Sequence, residues 1–172
     1  IAELWSAEEQ LLLDVRTPAE FAQGHIPGAV NFPLFTDEER VAVGTLYKKV
    51  SPQEALLKGL EKVGPKMSGF VREAMSLADG KRIVLHCWRG GKRSESMGWL
   101  LGLAGLPVAT IKGGYKAYRS FILKAFQDQI LKMRILGGKT GSGKTEILTA
   151  LREKGAQVID LEALAHHKGS AF

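Results

Sequence analysis

Among 172 residues there is a single cysteine, Cys87. That excludes an internal disulfide and any cysteine-based zinc cluster. No apolar run approaches the ~20 residues that cross a bilayer, so no membrane span is expected. Residues Ile1 to Gln10 have neither a basic start nor a long apolar stretch, which speaks against a secretory signal. Ile1 stands where an initiator methionine would, so the true start is expected to lie upstream. The default compartment on these grounds is the cytoplasm. Repeats and low-complexity segments are absent. What is present is ordinary for a globular chain, 45% apolar and 24% charged residues. The length has room for one full domain and part of a second.

Acidic residues are scarce in one half only. Residues 1–80 hold 8 Lys/Arg against 12 Asp/Glu, a balance of −4, whereas residues 81–172 hold 16 against 6, a balance of +10. A field of that sign favours polyanions, nucleic acid first among them, although small phosphates alone would account for it equally well.

The pattern along the chain alternates strands and helices. Leu11 to Arg16 reads as a buried strand, followed by a helix with Thr17 as N-cap and Pro18 at its first position. Gly24–Gly28 is a turn and Ala29–Phe32 a second strand. A helical region of about 36–79 is broken near Ser51-Pro52 and Gly64-Pro65. Ile83-Val84-Leu85 is a strand that delivers Cys87 at its carboxyl end, Ser94–Ala104 a helix, and Pro107–Ile111 a strand closed by Gly113-Gly114. A last helix runs to about Gln129, and Met133–Leu136 starts a further strand. Such alternation implies a parallel α/β sheet, with ligands beyond the carboxyl ends of the strands. A boundary is expected near residue 130, and residues 131–172 suffice for one strand-loop-helix-strand unit, too little to bury a sheet of its own.

Two loops carry chemistry. The first is His86-Cys87-Trp88-Arg89-Gly90-Gly91-Lys92-Arg93-Ser94. A strand-to-helix loop converges backbone N–H groups on one point, and the cations Arg89, Lys92 and Arg93 add full charges. Such surroundings lower a thiol from about 8.5 to about 3.5–7.5, which makes Cys87 a candidate nucleophile facing a tetrahedral anion. Sulfur or selenium transfer fits this architecture. So does phosphatase chemistry, since His86-Cys87-x5-Arg93-Ser94 satisfies the cysteine-phosphatase signature, although no carboxylic general acid lies between Cys87 and Arg93. The second loop, Gly138-x4-Gly143-Lys144-Thr145 with Gly141 inside it, is a Walker A match. Its N–H groups would cradle phosphates, Lys144 would reach the terminal ones and Thr145 could ligate magnesium. Asp160 could orient that ion or simply cap a helix.

Asp14-Val15-Arg16, Glu20-Phe21, Gly24 to Asn31 and Lys112-Gly113-Gly114-Tyr115 resemble the rhodanese family. That family's single-domain members carry Cys-x4-Arg. The loop here is one residue longer, a wider cradle suited to selenophosphate or thiophosphate. With the second loop in this order, the chain resembles the tRNA 2-selenouridine synthase family from Leu11 onward. Further matching segments are Asp37–Lys48, Lys58–Leu60, Val63–Met67, Gly113–Arg119, Asp160–Glu162 and His167–Phe172.

The resemblance implies a rhodanese-like parallel sheet with helices on both faces over 1–130, with a helical insertion at about 36–79. The start of a P-loop NTPase-like α/β domain would follow over 131–172. It also implies that wobble 2-thiouridine of tRNA is geranylated from geranyl diphosphate and that the geranylthio group is then replaced using selenophosphate. A plain sulfurtransferase joined to a P-loop module is the alternative within the same fold. Cys87 matches the essential cysteine, which would carry selenium as a perselenide or help cleave the Se–P bond. Trp88 to Ser94 match the selenophosphate loop, and Gly138, Gly141, Gly143, Lys144 and Thr145 match a loop for the geranyl diphosphate. No tightly bound cofactor and no protein-held metal are implied. The expected partners are tRNA and a selenophosphate-supplying enzyme, with no membrane. Trp88 could stack on a base or the isoprenoid or simply pack, and Tyr115, Lys116, Tyr118 and Arg119 could face tRNA or form a solvated helix face.

Overall fold

A computed structural model describes residues 10–128, 132–139 and 141–165. Two compact units divide between Gln129 and Ile130. In the first, strands β1 (Gln10–Asp14), β2 (Val30–Asn31), β3 (Arg82–His86) and β4 (Val108–Thr110) form a sheet of order β2-β1-β3-β4, every pairing parallel. The helices are α1 (Pro18–Ala22), α2 (Asp37–Lys49), α3 (Pro52–Val63), α4 (Met67–Ala78), α5 (Lys92–Leu103) and α6 (Gly114–Asp128), with a 3-10 turn at Gly64–Lys66.

Local chemistry sets the helix ends. Thr17 and Thr36 each close a capping box with the glutamate three residues on, Glu20 and Glu39. Ser51 accepts from the Glu54 N–H, and Pro52 occupies the first helical position where its missing N–H costs nothing. Asp79, at φ 44°, ends α4 in the left-handed conformation.

Alternation along the strands then sorts the core into two layers. Leu13, Ile83 and Leu85 pack with Ala74 and Ala78 of α4 and Met97 and Leu101 of α5. Leu12 and Val84 face the other way, against Ile26, Ile111 and Tyr118 of α6. Helices cover both faces of the sheet, as the sequence implied.

Two expectations are corrected. The helix expected from Ser94 begins at Lys92, because Gly91 adopts an extended cap and its carbonyl already accepts from Ser94 N (3.0 Å) and Glu95 N (3.1 Å). Lys92 and Arg93 are therefore first-turn helix residues. The strand expected at Met133–Leu136 has no regular structure, and Ile135 is 93% exposed. An apolar run becomes a strand only by pairing, and no ladder partner for it exists among the described residues. In this second unit α7 (Lys144–Glu153) and α8 (Leu161–Leu164) are the helices described.

One polar pair lies inside the first core. The Arg16 guanidinium, 1% exposed, donates to the fully buried Asp14 carboxylate at 2.6–3.0 Å and to the Gly24 carbonyl at 2.8 Å. Asp14 is in register with His86, the last residue before the cysteine loop. Asp14→Ala would leave a buried cation without its counter-charge, and a loss of about 3–5 kcal/mol is expected in urea unfolding. An unchanged midpoint would show the pair to be dispensable.

Candidate active site

β3 ends at His86 and α5 begins at Lys92, so Cys87–Gly91 make the crossing between them. Gly90 has φ +67°, and a Cβ there would stand 2.7 Å from the Ile111 carbonyl oxygen and 2.9 Å from Gly113 N. Gly114 has φ +58°, and its Cβ would run into the Cys87 carbonyl oxygen and stand 2.6 Å from Gly90 N. Glycines on both sides therefore let two backbones touch. Through that contact Tyr115 N donates to the Cys87 carbonyl and Lys116 N to the Trp88 carbonyl, each at 2.9 Å. The first turn of α6 thus fixes the loop from outside.

The sulfur sits on the inner side of this loop. Gly91 N–H and the Ser94 hydroxyl each donate to Cys87 Sγ at 3.3 Å, and the thiol can donate to the Gly91 carbonyl at 3.8 Å. Burial opposes ionisation of Cys87. Hydrogen bonds from the Ser94 side chain and from the backbone N–H groups of Ser94, Gly91 and Arg89 outweigh it, and its pKa falls below that of an ordinary thiol.

The expected direction stands, and of its two expected causes the converging N–H groups hold while the cations do not. Arg89 and Lys92 are exposed, and Arg93 turns to Glu20 in a bidentate pair of 2.6 and 3.2 Å. Dipoles of the loop, rather than the cations, favour the thiolate. Cys87 is also only 4% exposed and belongs to the core cluster with Leu85 and Met97, so the wide cradle expected around it is a tight one.

The open space lies beside it. A cleft of about 380 Å³ is lined by Arg16, Arg40, Trp88, Arg93, Tyr115 and Arg119, together with Glu20, and Cys87 is not in its wall. Trp88 and Tyr115 meet at 5.6 Å between ring centroids, and the Arg16 guanidinium lies 4.1 Å from the centroid of Tyr115. Glu20 is held twice, as the capping residue of α1 and by Arg93. Burial pushes its pKa up, but the Arg93 hydrogen bond and charge bring it below the ordinary carboxylate value. His86 is fully buried, and burial lowers its pKa below the usual imidazole value against the pull of Asp14, so it is neutral at pH 7.

Of the expected loop residues, Cys87, Gly90, Gly91 and Ser94 build the sulfur site, whereas Trp88 and Arg93 face the cleft. Tyr115 and Arg119 join them there, but Tyr118 is only 8% exposed and packs on the sheet with Val84, so it belongs to no surface patch. Glu20 and Arg40 escaped the sequence reading as site residues. Glu20 stands out in the sequence only as part of the rhodanese-like pair Glu20-Phe21, and Arg40 only as one residue of the matching segment Asp37–Lys48.

In the second unit, Gly141 and Gly143 have φ +76°, as a phosphate-type loop requires, and α7 starts at Lys144. Lys144 Nζ donates to the Gly138 and Lys139 carbonyls at 3.0 and 2.9 Å. Thr145 follows in the first turn. Thr140 and the matching segment His167–Phe172 lie outside the described residues. Asp160 caps α8, accepting from Ala163 N at 3.0 Å, and no cluster of three or more His, Cys, Asp or Glu suited to a metal occurs among the described residues.

Residues 1–121 match the rhodanese-like domain family. The chain belongs to that family. Beyond this rhodanese-like part, residues 131–172 match the AAA domain of tRNA 2-selenouridine synthase. Over 94% of its length the chain is 44% identical to the tRNA 2-selenouridine synthase of Bdellovibrio bacteriovorus and 40% identical to that of Nitrosomonas europaea. It spans 43% of each of those relatives. A solved N-terminal domain from Clostridium difficile 630 is 40% identical, with a TM-score of 0.68 over 72% of this chain and 96% of that one.

If dipoles set the thiol, removing one must show. Ser94→Ala is expected to move the pH dependence of Cys87 alkylation by iodoacetamide to higher pH, while Arg93→Gln leaves it in place. The opposite order would restore the charges as the cause.

Proposed function

We propose that this chain is the selenium-transferring part of a tRNA-modifying enzyme that converts wobble 2-thiouridine to 2-selenouridine through its S-geranyl derivative. The observation that carries the reading is the order of the two matches, a rhodanese-like thiol loop followed by a P-loop segment of the synthase type. Relatives of that name over 94% of the chain support it. Geranylation has a chemical rationale, because a thioether at C2 leaves more readily than a thiocarbonyl.

Atom balance decides what Cys87 does. The selenium of selenophosphate is already fully reduced, so forming a perselenide from it would need an added oxidant. Displacement needs none. Selenium attacks C2, geranylthiol leaves, and a C2–Se–PO3 linkage remains. The Cys87 thiolate then attacks phosphorus, the selenouridine leaves as its selenolate, and water hydrolyses the S–P bond to phosphate. In this sequence the Ser94 hydroxyl stabilises the thiolate both as nucleophile and as leaving group. Arg93, aligned by Glu20, receives the phosphoryl oxygens. Trp88, Arg89, Gly90, Gly91 and Lys92 complete the loop around that group.

The P-loop, Gly138, Gly141, Gly143, Lys144 and Thr145, would hold the diphosphate of geranyl diphosphate, with Lys144 exchanging two carbonyls for phosphate oxygens. Magnesium would enter with the diphosphate and meet Thr145, since the Asp160 carboxylate is engaged with its own helix. Selenophosphate would arrive from a supplying enzyme, and tRNA as substrate fits a cytoplasmic setting. No helix among the described residues is long and apolar enough to cross a membrane.

A second reading rests on the same 3.3 Å contact between Ser94 and the sulfur, which would serve a cysteine phosphatase as well. The two part on substrate. The intact protein that carries these residues, given tRNA, geranyl diphosphate and selenophosphate, should yield 2-selenouridine by mass analysis of nucleosides. Turnover of p-nitrophenyl phosphate without any selenonucleoside would favour the phosphatase.

Cys87→Ala should abolish free selenouridine while geranylation and its displacement continue, so that the Se-phosphorylated nucleoside accumulates in its place. Lys144→Ala should suppress the geranylated nucleoside instead, by about 100-fold if the ammonium supplies a few kcal/mol to the diphosphate step. Wild-type geranylation by that variant would remove the loop from the reaction.

A further inference from the structure

Arginines from three helices meet at the cleft beside the cysteine loop, Arg40 of α2, Arg93 of α5 and Arg119 of α6. Two of the cleft's four arginines are already committed, Arg16 to Asp14 and Arg93 to Glu20. Arg40 and Arg119 form no ion pair among the described residues, and the single carboxylate in the wall, Glu20, is taken by Arg93. The cleft therefore has uncompensated positive charge at its edges. Between them stands the tilted pair Trp88 and Tyr115, with Tyr115 steadied by the Arg16 guanidinium at 4.1 Å.

A tetrahedral oxyanion would use the charge but not the rings. At a few water volumes of about 30 Å³ each, it would also leave most of the 380 Å³ empty. A flat ring flanked by phosphates uses both. We infer that this cleft seats one unstacked nucleotide of single-stranded RNA, its base against Trp88 and Tyr115 and its neighbouring phosphates on Arg40 and Arg119. The inference deepens the proposed tRNA reading and rests on it for the choice of RNA. It also gives the two spaces different jobs. The buried sulfur takes only a small phosphoryl group, and the nucleotide stays outside, on the shared residues Trp88 and Arg93.

The test uses the intact protein and a short RNA hairpin with 2-thiouridine in its loop. Arg40→Gln/Arg119→Gln should weaken hairpin binding at least tenfold. It should also flatten the slope of log affinity against log salt by about 1.4, about 0.7 for each single-strand phosphate no longer neutralised. Arg40→Lys/Arg119→Lys should keep the slope, which a folding defect would not allow. Trp88→Leu should cost about tenfold without changing the slope. Parent affinity and slope in the Gln pair would overturn the inference. So would a loss confined to inorganic phosphate, read as its protection of Cys87 from alkylation, since that marks a small-anion site.

The two readings fail separately. Hairpin binding that depends on these arginines, in a protein that puts no selenium into RNA, leaves the cleft assignment standing and removes the proposed reaction. Parent-rate selenium transfer by the Gln pair does the reverse.

Discussion

Two stretches of backbone, Gly90 on one side and Gly113-Gly114 on the other, approach more closely than any pair of side-chain-bearing residues could. That approach is what allows the amides of Tyr115 and Lys116 to hold the carbonyls of Cys87 and Trp88. With the Cys87 and Trp88 carbonyls turned out to α6, the loop offers the sulfur its N–H groups and the one carbonyl of Gly91. The orientation of the peptide units, the lowered thiol and the position of Trp88 over the cleft all follow from one steric condition. A methyl group at either point would push the helix and the loop apart, and the cost would fall on the site before it fell on the sheet.

The electrostatics divide by distance. Near the sulfur, short hydrogen bonds inside a tight fold set the balance, where desolvation would otherwise win. The full charges stand further out, where they are either paired, as in Arg16 with Asp14 and Arg93 with Glu20, or without an ion-pair partner among the described residues, as in Arg40 and Arg119. Rhodanese-like architecture thus keeps nucleophile and cations in separate compartments that share a wall, and the wall is made of the loop itself.

Much of this was legible in the sequence. Strand β3, the N-cap Thr17, the helix break at Ser51-Pro52 and the two phosphate-type loops follow from apolar runs, capping and proline signals and glycine spacing, each a local rule. What sequence could not give was direction. Arg93 in the first turn of a helix points where the helix points, and only the fold brings Glu20, 73 positions away, into reach. Arg40 enters the cleft through the packing of α2, for which no short motif exists. The run Met133–Leu136 departs from the strand its apolar pattern predicts for a related reason, since such a pattern makes a strand only when a neighbour supplies the ladder.

Ser94 has one hydroxyl proton and two acceptors within reach, the sulfur at 3.3 Å and the Gly91 carbonyl at 3.1 Å. A turn about a single bond can therefore follow every gain or loss of charge on the sulfur. No heavy atom has to travel, and no water has to enter to screen the new state. The cavity answers a changing charge with a rotor of its own, which keeps the reorganisation small around a sulfur that is only 4% exposed.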